Sequence, residues 1–583
     1  MTTIESAGFL ASHLQQVRNW ARLLFVSLCV VLALTQVVSM AAMVDGKPQA
    51  VTDTGHVIGE ARNGVLEFRG IPYGAAPVGD LRWALPKPAP KWSGVLDARE
   101  FGPACAQQAR FNLTEGSVSE DCLSLNVTVP THAKPGSRLP VLFWLHGGGF
   151  VGGASNLYRL DKLARDGGII VVSANYRLGV LGFMPHPAFE SYDHQNGNYG
   201  LEDQRLALAW VQRNIAAFGG DPHHVTLAGE SAGAISVCMH LASPEHVKGL
   251  FDKAIIQSAG CLQQMKTVTE AEAVGVAVST ALGCSGDQAT VLRCMRSKPV
   301  ADLLDQQGSY GSSHPIDFLP FAPTVGTLDH PNATLPRGMR AAVDKNRLVK
   351  VPLMVGGTRY EVRLYVGYWW QGAKLGHNPP VDEANLPGWI ASIYGKDKVT
   401  AILDRYTPAG GWPSEASVPE TLGMLMADYV PGVSINNCMY LHSSQVLSKA
   451  FGAHQGELPI YEFEFADEAA PVLGIGIGKP DPDFKLGSVH SSELNYLFPN
   501  LSNTSRIDAP DLGPASTRLA NQMVGWWGNF VRHGNPNHTG LPVWPVYSED
   551  NTVMLLEPDN ARPYNSDQQH QCSAFWRHEF VLP

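Results

Sequence analysis

A serine in a glycine-framed turn is the first feature of the chain that suggests chemistry. Gly229-Glu230-Ser231-Ala232-Gly233 has the pattern G-x-S-x-G, with an apolar run before it at 225–227 and an apolar, helix-like segment after it. A serine between a strand and a helix occupies a sharp, strained turn, and the two glycines remove side chains that would clash there. Ser231 is therefore the candidate nucleophile, and the start of the helix directs backbone amides at a developing oxyanion.

A glycine run upstream supplies a second chemical element. The apolar run 141–145 leads into His146-Gly147-Gly148-Gly149, whose bare backbone amides can point at a single carbonyl oxygen. Gly148 and Gly149, together with Ala232, are the predicted oxyanion donors. The alternative is a flexible glycine turn, which two separate motifs in this chain order make less favourable.

These motifs need a scaffold of strands and helices that holds them in place. Short β-branched or aliphatic runs at 141–145, 169–174, 225–227, 254–256 and 351–355 have helical segments between several of them. This alternation predicts an α/β fold with a mostly parallel sheet flanked by helices. Apolar spacing predicts helices over 201–218, ending at Gly219-Gly220, and over 515–531, and alternation predicts a strand over 461–465.

Composition and charge exclude several classes of protein. The chain has 583 residues, 44% of them hydrophobic, and 58 glycines with 41 prolines, which is an ordinary globular composition. With 43 Lys+Arg against 53 Asp+Glu, the net charge is −10, the wrong sign for neutralising phosphates, so no nucleic-acid partner is expected. Length alone suggests about four domains at about 150 residues each.

The N-terminus has the order of an export signal. Arg18 and Arg22 precede an uncharged run over 23–44, and the small-residue stretch Ser39-Met40-Ala41-Ala42 lies near its end. We predict that residues 1–42 form an export signal and that the protein is secreted or periplasmic. The alternative is an uncleaved membrane anchor with the remaining chain outside the cytoplasm, since the stretch just reaches the span of about 20 residues that a bilayer needs.

Eight of the nine cysteines follow this leader, because Cys29 lies within it. Cys105 and Cys122 bracket one polar loop, and Cys284 and Cys294 bracket a shorter one. Both spacings suit local disulfides in an oxidising compartment. Spacing alone does not pair the remaining four, which are Cys238, Cys261, Cys438 and Cys572.

The chain as a whole resembles the type B carboxylesterases and cholinesterase-like proteins, which have the α/β-hydrolase fold. Blocks typical of that family occur in family order from about residue 45 to the end: Phe68-Arg-Gly-Ile-Pro72, Glu120-Asp-Cys122-Leu123, Asn175-Tyr-Arg177, Asn198-Tyr-Gly200 and Phe218-Gly-Gly-Asp-Pro222. The resemblance implies an α/β-hydrolase fold with large insertions that form the pocket, and a triad in the order serine, acid, histidine.

Two positions complete that triad. Gly487-Ser-Val-His490-Ser-Ser-Glu493-Leu is similar to the family block that holds the catalytic histidine, so His490 is the predicted general base. The acid follows the run 351–355, where Glu361 falls at the family's glutamate position although Tyr360 and Val362 depart from the usual neighbours.

Two alternatives compete with Glu361 as the catalytic acid. Asp329 is the other candidate carboxylate, and it precedes the strand instead of following it. Alternatively, Glu361 is a surface ion-pair partner of Arg359 or Arg363. The chemistry itself requires a buried carboxylate that orients the imidazole.

The resemblance also implies the supporting residues and the disulfides. Glu230 and Ser258 take positions beside the triad, with Ser258 as a hydrogen-bond partner. The family's disulfide pattern is Cys105 with Cys122, Cys284 with Cys294 and Cys438 with Cys572, which leaves Cys238 and Cys261 free.

We therefore predict a serine carboxylesterase that hydrolyses small-molecule esters through a Ser231-His490-Glu361 triad and an acyl-enzyme, without cofactor or metal. The catalytic motifs span most of the chain and must meet at one carbonyl, so residues 43–583 are predicted to form a single domain. The alternative function is a non-catalytic binding or adhesion protein on the same fold.

The residues also narrow the kind of esterase. The loop from Cys105 to Cys122 contains no tryptophan, whereas in choline-hydrolysing relatives that loop supplies the aromatic face for the quaternary ammonium. A cholinesterase is therefore a poor match. The motifs leave the acyl and alcohol preferences open.

Overall fold

The structure is a computed structural model that describes residues 42–44, 46–108, 116–133, 136–189, 197–309, 319, 321–326, 333–414, 417–452, 458–472, 482–499 and 511–580. Within these residues an eleven-stranded sheet forms the framework. Its strands in chain order are β1 Glu60–Arg62, β2 Val65–Pro72, β3 Ser124–Pro130, β4 Leu139–Leu145, β5 Ile170–Ala174, β6 Gly220–Glu230, β7 Lys253–Gln257, β8 Leu353–Thr358, β9 Ile460–Phe465, β10 Thr552–Leu556 and β11 Arg562–Asn565.

The spatial order of the strands is β11-β10-β9-β8-β7-β6-β4-β5-β3-β2-β1. The seven strands from β10 to β5 pair in parallel, whereas β11 at one end and β3, β2 and β1 at the other pair antiparallel. The predicted mostly parallel sheet is confirmed, with antiparallel strands at its ends. Two small sheets lie outside it, made of Ala42–Val44, Lys47–Val51, His56–Ile58 and Val95–Asp97, and of Ala104–Cys105 with Val118–Ser119.

The register of the central strands aligns their carboxyl ends. Leu145 at the end of β4 pairs with Gly229 of β6, and Glu230 pairs with Gln257 at the end of β7. Gln257 in turn pairs with Gly356 of β8. Loops that leave these four strands therefore start side by side, which is where open α/β sheets bind ligands.

Helices connect the strands and cover both faces of the sheet. In chain order they are α1 Asp161–Gly167, α2 Gly179–Gly182, α3 Tyr199–Asn214, α4 Ala232–Leu241, α5 Pro244–Val247, α6 Val268–Ala281, α7 Gln288–Ser297, α8 Val300–Ser309, α9 Met339–Asp344, α10 Arg363–Lys374, α11 Leu386–Tyr394, α12 Val399–Tyr406, α13 Ser417–Asp428, α14 Asn437–Phe451, α15 Leu494–Leu497, α16 Pro514–His533, α17 Ser566–His570 and α18 Arg577–Glu579. Short 3₁₀ turns occur at Gly79–Leu81, Ser155–Leu157, Pro187–Phe189, Ile215–Phe218 and Lys396–Lys398, and Cys572–Trp576 is a turn of π-helix.

The helix predicted over 201–218 is α3 followed by the 3₁₀ turn Ile215–Phe218. It stops at Gly219, whose φ of 88° is left-handed and whose amide closes the last turn on the Ala216 carbonyl. Glycine adopts this conformation at little cost, so the stop read from the sequence is confirmed. The helix predicted over 515–531 is α16.

Two apolar layers enclose the sheet, and β4 shows how the sequence builds them. Phe143 and Leu145 belong to the layer on one face, while Leu142 and Trp144 belong to the layer on the other. Successive side chains of a strand point to opposite faces, so a strand buried on both sides is apolar throughout.

Four disulfides join the eight described cysteines. The pairs Cys105–Cys122, Cys284–Cys294 and Cys438–Cys572 confirm the pattern that the resemblance implies. The expectation that Cys238 and Cys261 are free is wrong, because they form the fourth disulfide with Cα atoms 5.2 Å apart. Cys238 lies on α4, which follows β6, and Cys261 lies just after the neighbouring strand β7, so strand order brings the two together.

The predicted export segment lies almost entirely outside the described residues. Of residues 1–42, only Ala42 is described, at the start of the strand Ala42–Val44. Among the helices that the structure does describe, none combines the length and the hydropathy needed to cross a bilayer.

The fourth disulfide makes a direct prediction. Alkylation of the denatured, unreduced protein should label neither Cys238 nor Cys261, and peptide mapping should recover the two as one linked peptide. Replacing both by alanine should lower the free energy of unfolding by about 3 kcal/mol, because the bridge closes a loop whose ends are 23 residues apart. Full alkylation of Cys238 in the unreduced protein would contradict the pairing.

Candidate active site

Ser231 occupies the turn between β6 and α4. Its backbone has φ 55° and ψ −122°, a conformation that costs a non-glycine residue free energy and that occurs at functional turns. The Ser231 amide donates to the Gln257 carbonyl at 2.9 Å, and its carbonyl accepts from the Ile235 amide at 2.9 Å. These bonds tie the strained residue to β7 on one side and to its own helix on the other.

The glycines of the motif are required by close backbone contacts. A Cβ at Gly229 would lie 2.5 Å from the Gly233 carbonyl carbon, and a Cβ at Gly233 would overlap the Leu145 carbonyl oxygen. The turn therefore packs directly on the end of β4. This contact brings the serine next to the glycine loop that follows β4.

That loop carries backbone amides without partners. Gly148 and Gly149 have φ of 111° and 61°, and the Gly148 carbonyl accepts from the Gly152 amide at 3.0 Å, which closes the turn. Among the described residues, none accepts a hydrogen bond from the amides of Gly148, Gly149 or Ala232. A Cβ at the adjacent Gly147 would lie 3.1 Å from the Ser231 Cβ, so the loop passes directly beside the serine.

Glu361 is fully buried between the end of β8 and the start of α10. Its Oε1 accepts from the Thr358 amide at 2.8 Å, and its Oε2 accepts from His490 Nδ1 at 2.6 Å. Burial alone would raise the pKa of Glu361, but His490, the Ser258 hydroxyl and the Thr358 amide outweigh it and lower the pKa. This carboxylate is ionised and aimed at one imidazole nitrogen.

His490 lies in the loop between β9 and α15 and is 4% exposed. Its amide donates to the Glu361 carbonyl at 3.3 Å, so backbone and side chain both join the two residues. With Nδ1 donating to Glu361, Nε2 faces the turn that holds Ser231 and lies 3.3 Å from Glu230 Oε1 of that turn. The Tyr365 ring lies 5.8 Å from the imidazole.

Three carboxyl groups surround that imidazole. Burial lowers the pKa of His490, yet Glu230, Glu361 and Glu493 raise it to about 9. Glu493 is itself buried, and burial with the charges of Glu230 and Glu361 raises its pKa to about 8. At neutral pH Glu493 is therefore largely protonated, which limits the negative charge beneath the site.

Hydrogen bonds link these acids to the surrounding strands. The Ser491 hydroxyl donates to Glu230 Oε1 at 2.6 Å, and Gln257 Nε2 donates to Glu493 Oε1 at 3.1 Å. Trp527 Nε1 of α16 donates to Gln257 Oε1 at 2.9 Å. Ser491 and Glu493 were both part of the quoted histidine motif. No motif pointed to Gln257 or Trp527, because Gln257 reaches the site through strand order and Trp527 reaches it from helix α16.

The structure places each predicted site residue. Ser231, Ala232, Gly148, Gly149 and Glu230 meet where β4 and β6 end, and Glu361, His490 and Ser258 meet beside them at the ends of β7 and β8. Glu361 does not pair with the neighbouring arginines: Arg359 pairs with Glu464 at 2.6 Å, and the Arg363 guanidinium lies 3.7 Å from the centre of the Tyr360 ring. Asp329 lies outside the described residues.

A second buried ionic cluster supports the loop of Glu361 from behind, and no sequence motif pointed to it. Glu464 of β9 accepts from Arg359 and from His570, whose Nε2 lies 3.0 Å from Glu464 Oε2. The other nitrogen of His570 lies 2.6 Å from Asp428. Burial lowers the pKa of His570, but Glu464 and Asp428 raise it to about 9. The last residues of the chain are thereby joined to the strand end that carries Glu361.

A cavity of about 180 Å³ opens in front of Ser231. Most of its wall comes from the chain segment that connects β7 to β8. The start of α4, the segment between α2 and α3, and the segment between α13 and α14 form the rest. The described lining residues are mostly apolar: Phe183, Met184, Pro185, Ala232, Ile235, Met265, Ala271, Val274, Leu319, Phe321, Ala322, Pro323, Gly432, Val433 and Ile435, with Ser231, Gln263, Gln264, Lys266 and Thr324 as the polar members. The aromatic residues of α10, which are Tyr365, Tyr368, Trp369 and Trp370, are not among the described lining residues.

Comparison with known proteins identifies the family to which the chain belongs. A sequence model of the carboxylesterase family matches residues 46–576. The chain belongs to the carboxylesterase family. It is similar to an acylcarnitine hydrolase of Mus musculus (31% identical over 541 residues, 88% of each chain) and to a fumonisin B1 esterase of Sphingopyxis macrogoltabida (31% over 528 residues, 87% of each chain).

Solved structures agree with this carboxylesterase assignment. A PNB esterase superposes with a TM-score of 0.70 at 29% identity and covers 92% of this chain and 99% of its own. The α/β-hydrolase fold is therefore confirmed, and the protein is a serine carboxylesterase that hydrolyses carboxylic esters. The alternative prediction of a non-catalytic binding or adhesion protein is therefore wrong. In the described part of the carboxylesterase, no group of three or more His, Cys, Asp and Glu side chains is arranged to hold a metal ion.

The carboxylates around His490 predict a change in pH dependence. Glu230→Gln removes a negative charge 3.3 Å from Nε2, so the imidazolium loses stabilisation and the pKa of His490 falls. Neutral His490 is then available at lower pH, and the acidic limb of the kcat/KM profile should move to lower pH.

The profile is measured on a neutral short-chain aryl ester across pH 5 to 10. The control is Glu383→Gln, which removes an exposed carboxylate and should leave the limb in place. An acidic limb that stays fixed in Glu230→Gln would show that Glu230 does not set the pKa of the base.

Proposed function

We propose that Ser231, His490 and Glu361 are the catalytic triad of this carboxylesterase and that hydrolysis proceeds through an acyl-enzyme. The observation that carries the proposal is the buried pair of His490 Nδ1 and Glu361 Oε2 at 2.6 Å, with the opposite nitrogen directed at the turn of Ser231. A hydrogen bond on Nδ1 fixes the imidazole tautomer and leaves Nε2 as the base.

In the acylation step Ser231 Oγ attacks the ester carbonyl while His490 Nε2 accepts its proton. The new C–O bond places a negative charge on the former carbonyl oxygen, and the imidazolium then gives its proton to the departing alcohol. Glu361 stabilises the imidazolium through Nδ1. Water repeats the sequence on the acyl-enzyme, which releases the carboxylic acid and restores Ser231.

The unpartnered amides of Gly148, Gly149 and Ala232 are the proposed oxyanion donors. They are fixed by the glycine turn and by the start of α4, so they need no rearrangement as charge develops. The N-terminal end of α4 adds the positive end of its dipole at the same place.

Glu230 is the proposed electrostatic support of this cycle. Its carboxylate lies 3.3 Å from His490 Nε2 and is held by the Ser491 hydroxyl at 2.6 Å. It therefore favours the charged imidazole that exists between the two proton transfers. Ser258 supports Glu361, whose pKa its hydroxyl helps to lower.

Replacement of the nucleophile tests the mechanism. Ser231→Ala should reduce kcat by at least about 10⁴-fold, because only binding and the oxyanion donors remain. Hydrolysis of short p-nitrophenyl esters gives the rate, and a fluorophosphonate probe should label the wild type but not the variant. Undiminished turnover in Ser231→Ala would refute the assignment.

The acid is tested separately. Glu361→Gln keeps the shape of the side chain but cannot hold the same tautomer, so kcat should fall by about 10⁴-fold. Circular dichroism and thermal unfolding show whether the variant is folded. Near-normal turnover in a folded Glu361→Gln would show that another carboxylate is the catalytic acid, and Asp329 would be the first to test.

We also propose that residues 43–583 form a single catalytic domain that is exported by residues 1–42. Four disulfides among the described cysteines support an oxidising compartment, since such bonds persist outside the cytoplasm. The basic residues followed by an uncharged run support the signal.

Expression of the full chain tests the export proposal. Active protein recovered from the periplasm or the medium should have its N-terminus near residue 43. Active protein in the membrane fraction with residues 1–42 intact would establish the anchor instead. Active protein confined to the cytoplasm with an intact N-terminus would overturn both.

A further inference from the structure

One charged side chain lies in the wall of an otherwise uncharged cavity. Of the described residues that line the cavity beside Ser231, Lys266 alone carries a charge, and the other polar ones are hydroxyl and amide side chains. Lys266 is exposed, whereas most of the apolar lining residues are buried, so it belongs to the part of the cavity wall that meets solvent. Any group that extends outward from an ester bound at Ser231 through this cavity passes near this cation.

The backbone of Lys266 is held firmly. Its carbonyl accepts from the Val325 amide at 2.9 Å, and the Val268 amide donates to the Val325 carbonyl at 3.0 Å. The next residue, Thr267, caps α6 through a reciprocal pair of hydrogen bonds with Glu270. The ammonium therefore moves on the length of its own side chain and not with a loose loop.

Among the described residues, no carboxylate forms a direct ion pair with Lys266, although the Lys266 charge helps to lower the pKa of nearby Glu270. Glu270 is the acidic side chain next to it, but its Oε2 already accepts from the Thr267 amide at 2.7 Å and from the Thr267 hydroxyl at 2.8 Å. Because Glu270 is held in the helix cap and makes no direct ion pair with Lys266, the ammonium can turn toward a ligand in the cavity.

We propose that Lys266 makes this cavity selective for esters that carry a carboxylate on the arm occupying it. The proposal rests on Ser231 being the nucleophile and adds a substrate class to that assignment. The apolar wall receives a hydrocarbon spacer, and Lys266 meets the anionic end. The same charge opposes a quaternary ammonium at this place, which agrees with the poor match to a cholinesterase.

The exposure of Lys266 determines how large the substrate preference is and how strongly salt weakens it. One exposed ion pair contributes little free energy, so the preference in kcat/KM should be about 2- to 5-fold. It should weaken as ionic strength rises, because salt screens charges in contact with water. The net charge of −10 repels anions from the molecule as a whole, so a preference for an anion must arise locally.

The test compares two pairs of substrates that differ only in charge. Monoethyl adipate and its primary amide place the charge on the acyl arm, and O-butyrylglycolate and its primary amide place it on the alcohol arm. Rates are followed in a pH-stat at low and high salt. The substrate pair whose carboxylate preference changes when Lys266 is replaced identifies the arm of the ester that enters the cavity.

Four variants complete the design. Lys266→Met should lower kcat/KM for the carboxylate member of one pair by about 2- to 5-fold and leave its amide unchanged. Lys266→Arg should retain the preference, and Lys266→Glu should reverse it. Lys248→Met is the matched control, because it removes an equally exposed lysine that does not line the cavity.

The outcomes separate this proposal from the assignment of the nucleophile. Loss of the carboxylate preference in Lys266→Met, with no such loss in Lys248→Met and with the salt dependence abolished, supports the proposal. Equal changes for carboxylate and amide in both pairs, or equal losses in the two lysine variants, overturn it while esterase activity remains. Activity that survives in Ser231→Ala would instead refute the catalytic site itself.

Discussion

The site depends on one requirement, that a fully buried carboxylate must be completely hydrogen-bonded. An ionised acid without water is costly unless donors surround it. Glu361 accepts hydrogen bonds from Thr358 at its own strand end and from His490 in a distant loop, and the nearby Ser258 after the neighbouring strand helps to lower its pKa. Three separate parts of the chain must therefore converge on one side chain, and the parallel register of the central strands is what makes them converge.

The same convergence determines the charge beneath Ser231. One imidazole faces Glu361 on one nitrogen and Glu230 on the other, and Glu493 lies within electrostatic reach. Burial keeps one of these acids largely protonated, so the imidazolium is stabilised without an excess of negative charge. The protons of this group are shared, and a titration will report the cluster and not any single residue.

The parts that could be read from the sequence are local. A strand, a G-x-S-x-G turn and a helix are contiguous around Ser231, and the glycine loop follows its strand directly. The residue types alone therefore predict the local backbone conformation of these segments. Partners set by strand order could not be read in this way. Cys238 and Cys261 are joined because β6 and β7 are neighbours, and Gln257 meets Glu493 for a related reason. Tyr360, which departs from the family pattern, lies against the Arg363 guanidinium, a contact that only the folded loop reveals.

The ionic cluster behind the acid loop has a consequence for how the protein is made. Glu464, which binds Arg359 two residues before Glu361, receives its other partners from Tyr564, Ser566 and His570. Cys572 then bonds to Cys438. These partners follow Glu361 far along the chain, so the support behind its loop can form only after residues up to Cys572 have been synthesised. A chain cut before Tyr564 lacks the residues that hold Glu464, and with them the support behind the loop of the proposed catalytic acid.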